Sequence, residues 1–205
     1  CNPMPKEVSL KNYYETIYRA KGRPHESNTE YTGQDIYNFK NLNYFQYLTT
    51  FIDFSKIENV YDFGSGTGDI GFLLKSKFDH LKLFSSEKDP LCKKILHNRG
   101  FKNIEELGDI NEKFDLIIST HSLEHMTDFS IIDFFKKISN KNCKLFFEVP
   151  NCPQEYFDGR PYDSPHLLFF TKKSIEKIAK SHNLEFLNFS GSSYSFHDDH
   201  KFMRD

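Results

Sequence analysis

The sequence has no tryptophan, and no two of its four cysteines stand in a C-x-x-C arrangement. The cysteines lie far apart, at Cys1, Cys92, Cys143 and Cys152. This spacing argues against a disulfide framework and against a cysteine-based zinc site. We therefore expect reduced thiols and a cytoplasmic protein.

Long apolar runs and an excess of one charge are also missing. No run approaches the roughly 18 apolar residues of a membrane span, and no signal-peptide pattern is visible. The 27 basic and 29 acidic residues are interspersed and leave a net charge of −2. We therefore expect no membrane partner, and bulk charge gives no indication of nucleic-acid binding.

Apolar residues are plentiful: they make up 38% of the 205 residues, and 22 are phenylalanine. A chain of this length and composition can form one domain with a substantial core. Residues 35–53 carry apolar side chains near a period of 3.6, which predicts an amphipathic helix packed on a sheet. We divide the chain into an N-terminal helical cap and lid over 1–53 and a core domain over 54–205.

The most informative stretch is 60–74, VYDFGSGTGDIGFLL. A short apolar run meets glycines at 64, 66, 68 and 71, and a helical pattern follows. This order predicts a buried strand, a tight turn and a helix N-terminus. Glycine accepts a positive φ, and its missing Cβ lets a ligand lie on the backbone. The free N–H groups of the following helix would point at that ligand.

The glycine spacing alone does not identify the ligand. Gly66, Gly68 and Gly71 fit the G-x-G-x-x-G pattern of nucleotide-binding loops, and Glu87 follows about 20 residues later. A nicotinamide-dependent oxidoreductase would use the same spacing. Asp62, however, would repel a pyrophosphate and suits a ligand that carries an ammonium and a sulfonium group.

Strand and helix patterns alternate along the chain, which predicts an α/β fold with a doubly wound, mostly parallel sheet. Six strands are predicted over 59–63, 81–86, 104–107, 114–120, 144–149 and 184–190. A seventh, antiparallel strand is expected within the last fifteen residues.

Four further motifs follow the glycine stretch: F-D-x-I at 114–117, L-E-H at 123–125, V-P-N at 149–151 and P-H-x-x-x-F-T at 165–171. In this order, they make residues 2–189 resemble the class I S-adenosylmethionine-dependent methyltransferases. The similarity is greatest to bacterial enzymes of surface-polysaccharide and small-metabolite pathways. The resemblance implies a Rossmann-like, seven-stranded fold with an N-terminal helical extension and S-adenosylmethionine as the cofactor.

The resemblance also implies which residues bind the cofactor. Glu87 would accept the ribose hydroxyls, because a carboxylate has lone pairs for two O–H donors. Asp109 would lie near the adenine amino group, although a surface turn also explains this acid. The complete set that we assign to cofactor binding is Tyr14, Asp62, Gly64, Ser65, Gly66, Glu87, Lys88, Asp109, Ile110 and His121.

Catalysis is assigned to Glu124, His125 and His166. His125 follows strand four at the expected carboxyl edge of the sheet, and a histidine suits proton removal because its pKa lies near neutrality. Together with His121, these residue types also bind divalent metals. Three roles stay open: metal-free acid–base or substrate contact, metal binding, and packing under the cofactor.

These patterns predict methyl transfer to oxygen, with a sugar, nucleotide sugar or small hydroxylated metabolite as the acceptor. Two alternatives from other classes are a nicotinamide-dependent oxidoreductase and a non-catalytic, cofactor-binding partner subunit. A nucleic-acid acceptor is not expected, because no basic patch stands out. The sequence does not specify an oligomeric state.

Overall fold

The structure, a computed structural model, describes residues 36–105, 107–152 and 166–191. Its sheet contains β1 (Asn59–Phe63), β2 (Lys82–Ser86), β3 (Phe101–Asn103), β4 (Phe114–Thr120) and β5 (Ser139–Glu148). The α-helices of these residues are α1 (Phe39–Phe51), α2 (Asp69–Lys77), α3 (Pro90–Asn98), α4 (Ser130–Ile138) and α5 (Lys172–Ser181).

The five strands are all parallel and lie in the order β3-β2-β1-β4-β5. Helices connect them on both faces, which confirms the α/β, Rossmann-like prediction for the core. The chain winds outward in one direction from β1 through β3 and then resumes at β4 on the other side of β1. Ligands of open α/β sheets bind at such a reversal, outside the carboxyl ends of the strands.

Each face of the sheet carries its own apolar core, because successive side chains of a strand point to opposite faces. In β4, Leu116 and Ile118 belong to one cluster and Ile117 to the other. The first cluster includes residues of α1, α2 and α3, and the second includes α4 with α5 packed against it. The sheet is thus a rigid, doubly covered platform for the loops at its carboxyl edge.

Side-chain hydrogen bonds at the N-caps fix where helices α3 and α5 begin. The Asp89 side chain accepts a hydrogen bond from the Leu91 N–H at 2.8 Å, and Pro90 opens α3, an arrangement typical of a helix N-cap. Thr171 and Ser174 form a reciprocal capping box at the start of α5.

Strand β3 differs from its prediction. It occupies Phe101–Asn103 rather than 104–107, directly after Gly100, which has a φ of +79°. Phe101 is buried against Gly68 and Gly71, where any Cβ would clash with its ring. This contact between residues distant in the chain fixes the strand, and a three-residue strand carries too little periodicity to reveal it.

The predicted sixth strand over 184–190 is not confirmed and stays a prediction. Within the described ranges, these residues pair with no strand, and Phe186, Leu187 and Phe189 are exposed. A strand requires a hydrogen-bonded neighbour, and the described residues supply none for this segment. The seventh strand was expected over 191–205, of which 192–205 lie outside the described residues. Residues 1–35, which include Tyr14, and residues 153–165 also lie outside them.

The cap-and-core division at residue 53 stays a prediction. Every helix of the described ranges is too short or too polar for a bilayer crossing.

Candidate functional site

The carboxyl ends of β1 and β4 lie side by side at the point where the strand order reverses. The glycine stretch follows β1, and the segment from His121 to His125 follows β4. Two motifs that are separated by more than fifty residues of sequence thus meet at one edge of the sheet, as the sequence predicts.

The glycine loop has a backbone conformation that residues other than glycine would adopt only with strain. Gly64 has a φ of +66°, and its N–H donates to the Ser86 carbonyl at 3.0 Å. A Cβ on Gly64 would lie 2.2 Å from Ser122 Oγ. Gly68, with a φ of +72°, precedes α2 as its N-cap. These positions require glycine, and the bare loop leaves backbone available to a ligand.

Asp62 is buried at the foot of this loop. Its side chain is 3% exposed, and its Oδ1 has no hydrogen-bond partner among the described residues. Burial raises the pKa of Asp62 to about 8, with further contributions from the charges of Glu87 and Asp69. The buried Oγ of Ser65 also lacks a partner in this part of the chain. A positively charged ligand would compensate the buried carboxylate, so these residues fit S-adenosylmethionine.

Glu87 follows β2 beside the loop and already accepts three backbone N–H groups. Its Oε2 accepts from Gly66 at 2.8 Å, and its Oε1 accepts from Lys88 at 2.7 Å and Asp89 at 2.9 Å. A carboxylate offers about four acceptor sites. Binding two ribose hydroxyls would therefore require Glu87 to release at least one of these amides. The Lys88 residue itself is exposed.

The start of α2 is held by a network that the sequence did not reveal. Arg99 Nη1 donates to Asp69 Oδ1 and to the Thr67 carbonyl, both at 2.6 Å. Asn41 Nδ2 donates to Asp69 Oδ2 at 3.0 Å. The network ties the glycine loop to α1 and α3. Its partners lie about 30 residues apart in sequence, and no local pattern could pair them.

The predicted adenine contacts lie beyond β3. Asp109 ends a short 3₁₀ turn, Leu107–Asp109, and its side chain is outside the described part. Ile110 is half-buried and packs against the second apolar cluster. Both assignments stay predictions.

The three predicted catalytic residues come together. Glu124 and His125 lie on the 3₁₀ turn Leu123–His125 after β4. The Leu167 and Leu168 N–H groups donate to the Glu124 carbonyl at 2.7 and 3.0 Å, which brings His166 next to this turn. The rings of His125 and His166 are 4.9 Å apart between centroids and meet edge to face.

His121 is placed beside this group in a charge cluster. It has a φ of +51°, and its Nε2 lies 2.9 Å from Glu148 Oε2 while its Nδ1 lies 3.4 Å from Glu124 Oε1. Burial lowers the pKa of His121, but the two carboxylates outweigh burial and raise it to about 9. His121 is therefore cationic at neutral pH.

The charge cluster has two further members, Lys40 of α1 and Glu148 of β5. Neither was predicted from the sequence. Burial lowers the pKa of Lys40, against the attraction of Glu148 and Glu124. Burial raises the pKa of Glu148, but its hydrogen bond to His121 and the charge of His121 lower the pKa by more, so the net shift is downward. The signal for Glu148 was available, because it is an acid that directly follows the apolar residues at the end of β5.

Comparisons with known proteins agree with this geometry. The model of a family described as "Methyltransferase domain" matches residues 33–188. No curated protein matches the chain.

Two solved structures illustrate the fold. A candidate O-methyltransferase from Nostoc punctiforme PCC 73102 is 10% identical, with a TM-score of 0.57 over 86% of this chain and 64% of that chain. StiE O-MT is 17% identical, with a TM-score of 0.53 over 83% of this chain and 58% of that chain. The chain therefore spans less than two thirds of either structure, and at these identities the likeness concerns the fold. From the family match, the chain belongs to the methyltransferase-domain family, which confirms the resemblance to class I S-adenosylmethionine-dependent methyltransferases.

Proposed function

We propose that this chain transfers a methyl group from S-adenosylmethionine to a hydroxyl oxygen of a soluble sugar, nucleotide sugar or small hydroxylated metabolite. The single observation that carries the proposal is the buried carboxylate of Asp62 beside the bare glycine loop, whose Oδ1 has no hydrogen-bond partner among the described residues. A buried charge is costly unless it is paired. A donor that carries both an ammonium and a sulfonium group supplies the missing positive charge, whereas a pyrophosphate would add repulsion.

The other cofactor roles follow from position at the same edge of the sheet. Gly64, Ser65 and Gly66 would lie along the donor, and Glu87 would exchange an amide partner for ribose hydroxyls. Asp109 and Ile110 would contact the adenine. Tyr14, Lys88 and His121 are the remaining residues that we assign to the cofactor site.

On the acceptor side, we assign proton removal to His125, with His166 and Glu124 as the other catalytic residues. The bond from the acceptor oxygen to the methyl carbon forms as the carbon–sulfur bond breaks, and the hydroxyl proton passes to the imidazole. The neutral imidazole is a suitable base near pH 7. Alignment of the oxygen, methyl group and sulfur supplies much of the rate enhancement.

Isothermal titration of the protein with S-adenosylmethionine and S-adenosylhomocysteine tests the cofactor assignment. We expect micromolar-range binding of both, with weaker binding by Asp62→Ala and Glu87→Ala. Asp79→Asn, an exposed acid outside the site, is the matched control and should bind as wild type. Absence of binding by either compound contradicts the proposal, and tight binding of NADH instead would favour an oxidoreductase.

Turnover tests the acceptor side. A panel of sugars, nucleotide sugars and hydroxylated metabolites is incubated with the protein and methyl-labelled S-adenosylmethionine, and labelled product is measured. We expect His125→Ala to lower turnover strongly without weakening cofactor binding, and His182→Asn to leave both unchanged. Unaltered turnover by His125→Ala would make our assignment of the base wrong. Cofactor binding without turnover on any acceptor would favour a non-catalytic partner subunit.

We also assign the protein to the cytoplasm and place acceptors of surface-polysaccharide synthesis first in the panel. Three described cysteines, Cys92, Cys143 and Cys152, are free thiols, which is consistent with a reducing compartment.

A further inference from the structure

Glu124 is the least satisfied charged group of the described residues near the acceptor side. Its side chain is 1% exposed, and neither carboxylate oxygen has a hydrogen-bond partner within these residues. The Nδ1 atom of His121 is 3.4 Å from Oε1, while the other ring nitrogen of His121 lies 2.9 Å from Glu148. Because a buried carboxylate without hydrogen bonds costs several kcal/mol, the arrangement favours a further cation at Glu124.

Two histidines stand where such a cation would need its other ligands. One ligand atom from each of Glu124, His125 and His166 can be chosen so that all three lie within 4.8 Å of one another. Backbone hydrogen bonds hold His166 near Glu124, because the next two residues donate to the Glu124 carbonyl. The cluster is thus built from two segments that the fold holds together.

We propose that Glu124, His125 and His166 bind a divalent metal ion of the zinc class. Two imidazoles and one carboxylate are the donor set of open, catalytic sites for such ions. At metal–ligand distances of about 2.1 Å, tetrahedral ligand atoms are about 3.4 Å apart. The ligand atoms must therefore approach by up to about 1.4 Å, a change that side-chain rotation of the two half-buried histidines can supply.

His121 is not one of the ligands in this proposal, although the sequence offered it as a candidate. Both of its ring nitrogens already face carboxylates, with Nε2 2.9 Å from Glu148 and Nδ1 3.4 Å from Glu124. Replacement of His121 should therefore leave metal affinity unchanged or higher. This expectation separates a three-ligand site from a four-ligand site that includes His121.

The consequence for catalysis depends on the proposed function, whereas metal binding does not. Three protein ligands leave at least one coordination position free. An acceptor hydroxyl in that position would have a lowered pKa and a fixed orientation toward the methyl group. With the ion bound, His125 would be a ligand, so the hydroxyl proton would pass to solvent water instead of to this imidazole.

The test uses the full, tag-free chain after treatment with EDTA and dialysis. Zn²⁺ is titrated by calorimetry and Co²⁺ by visible absorption at neutral pH. We expect one ion per chain, with affinity at least tenfold lower in Glu124→Gln, His125→Asn and His166→Asn. His182→Asn, at a histidine that pairs with Asp133 on another part of the surface, should bind as wild type. His121→Gln should bind at least as tightly.

Cysteine binding is tested separately, because Cys152 is buried and lies after β5. Cys152→Ser should leave the Co²⁺ spectrum unchanged. If the wild-type complex shows the intense ultraviolet band of a Co²⁺–thiolate bond and Cys152→Ser loses that band, the thiol binds the ion and the proposal is overturned. Circular dichroism confirms that each variant is folded; should a histidine variant fail to fold, the near-isosteric Glu124→Gln carries the test. The proposal would also be overturned if the wild type bound no stoichiometric metal ion, or if Glu124→Gln bound the metal as tightly as the wild type.

S-adenosylmethionine binding is measured in parallel with EDTA present. Cofactor binding without metal binding refutes the metal site and leaves the proposed function standing. Metal binding without cofactor binding refutes the proposed function and leaves the metal site standing.

Discussion

Replacing Asp62 by asparagine should stabilise the ligand-free protein while weakening its cofactor binding. The carboxylate is buried, and its pKa rises from the ordinary value of 3.8 to about 8, chiefly through burial. Between pH 3.8 and about pH 8, Asp62 keeps its proton in the folded state but has released it in the unfolded state. The stability of the wild type therefore falls as pH rises through this window. Asparagine has the same shape, stays neutral and avoids this loss.

The magnitude follows from the shift of about four pKa units. At about 1.4 kcal/mol per unit, the upper bound is about 6 kcal/mol above pH 8. Local relaxation and water entry reduce this cost, and we expect about 3 kcal/mol. In a chain of this length, 1 kcal/mol shifts the melting temperature by about 2–4 °C, so the variant should melt about 9 °C higher. Near pH 5 the difference should be small.

The assay is urea or thermal unfolding of wild type and Asp62→Asn from pH 5 to pH 9, beside calorimetric titration of S-adenosylmethionine. Asp79→Asn controls for the loss of an exposed acid and should change stability by less than about 0.5 kcal/mol. Equal stability of wild type and Asp62→Asn at pH 8, or an advantage that does not grow from pH 5 to pH 8, would refute the reasoning about the buried charge. Undiminished cofactor affinity in the variant would refute the role of Asp62 in binding.

Two further predictions concern the loop and its support. Gly64→Ala should destabilise the protein by roughly 1–3 kcal/mol in urea unfolding, because a Cβ there meets Ser122 Oγ at 2.2 Å and φ is positive; a cost below 0.5 kcal/mol would show that the loop relaxes freely. Arg99→Met should cost about 2–4 kcal/mol, because the 9%-exposed Arg99 side chain bonds both Asp69 and the Thr67 carbonyl. The same variant should weaken cofactor binding in calorimetry, and unchanged affinity would show that the loop does not depend on this network.

The sequence by itself determined the parts of the site whose signals are local. Asp62 and the glycines lie within a few residues of one another, and steric limits on φ tie glycine to such turns wherever they occur. The alternation of apolar strands and amphipathic helices likewise predicted the α/β core, because each periodicity is a property of its own segment. Strand β4 lies where its uninterrupted apolar run predicts it.

Only the tertiary structure decided which distant residues meet. It placed His166 beside Glu124 through backbone hydrogen bonds and brought Lys40 close enough to Glu148 and His121 to interact with their charges. It also turned Glu87 so that its carboxylate accepts a hydrogen bond from the Gly66 N–H. The physical reason is the same in each case: burial and hydrogen bonding depend on neighbours supplied by other segments, and the periodicity of one segment contains no information about them.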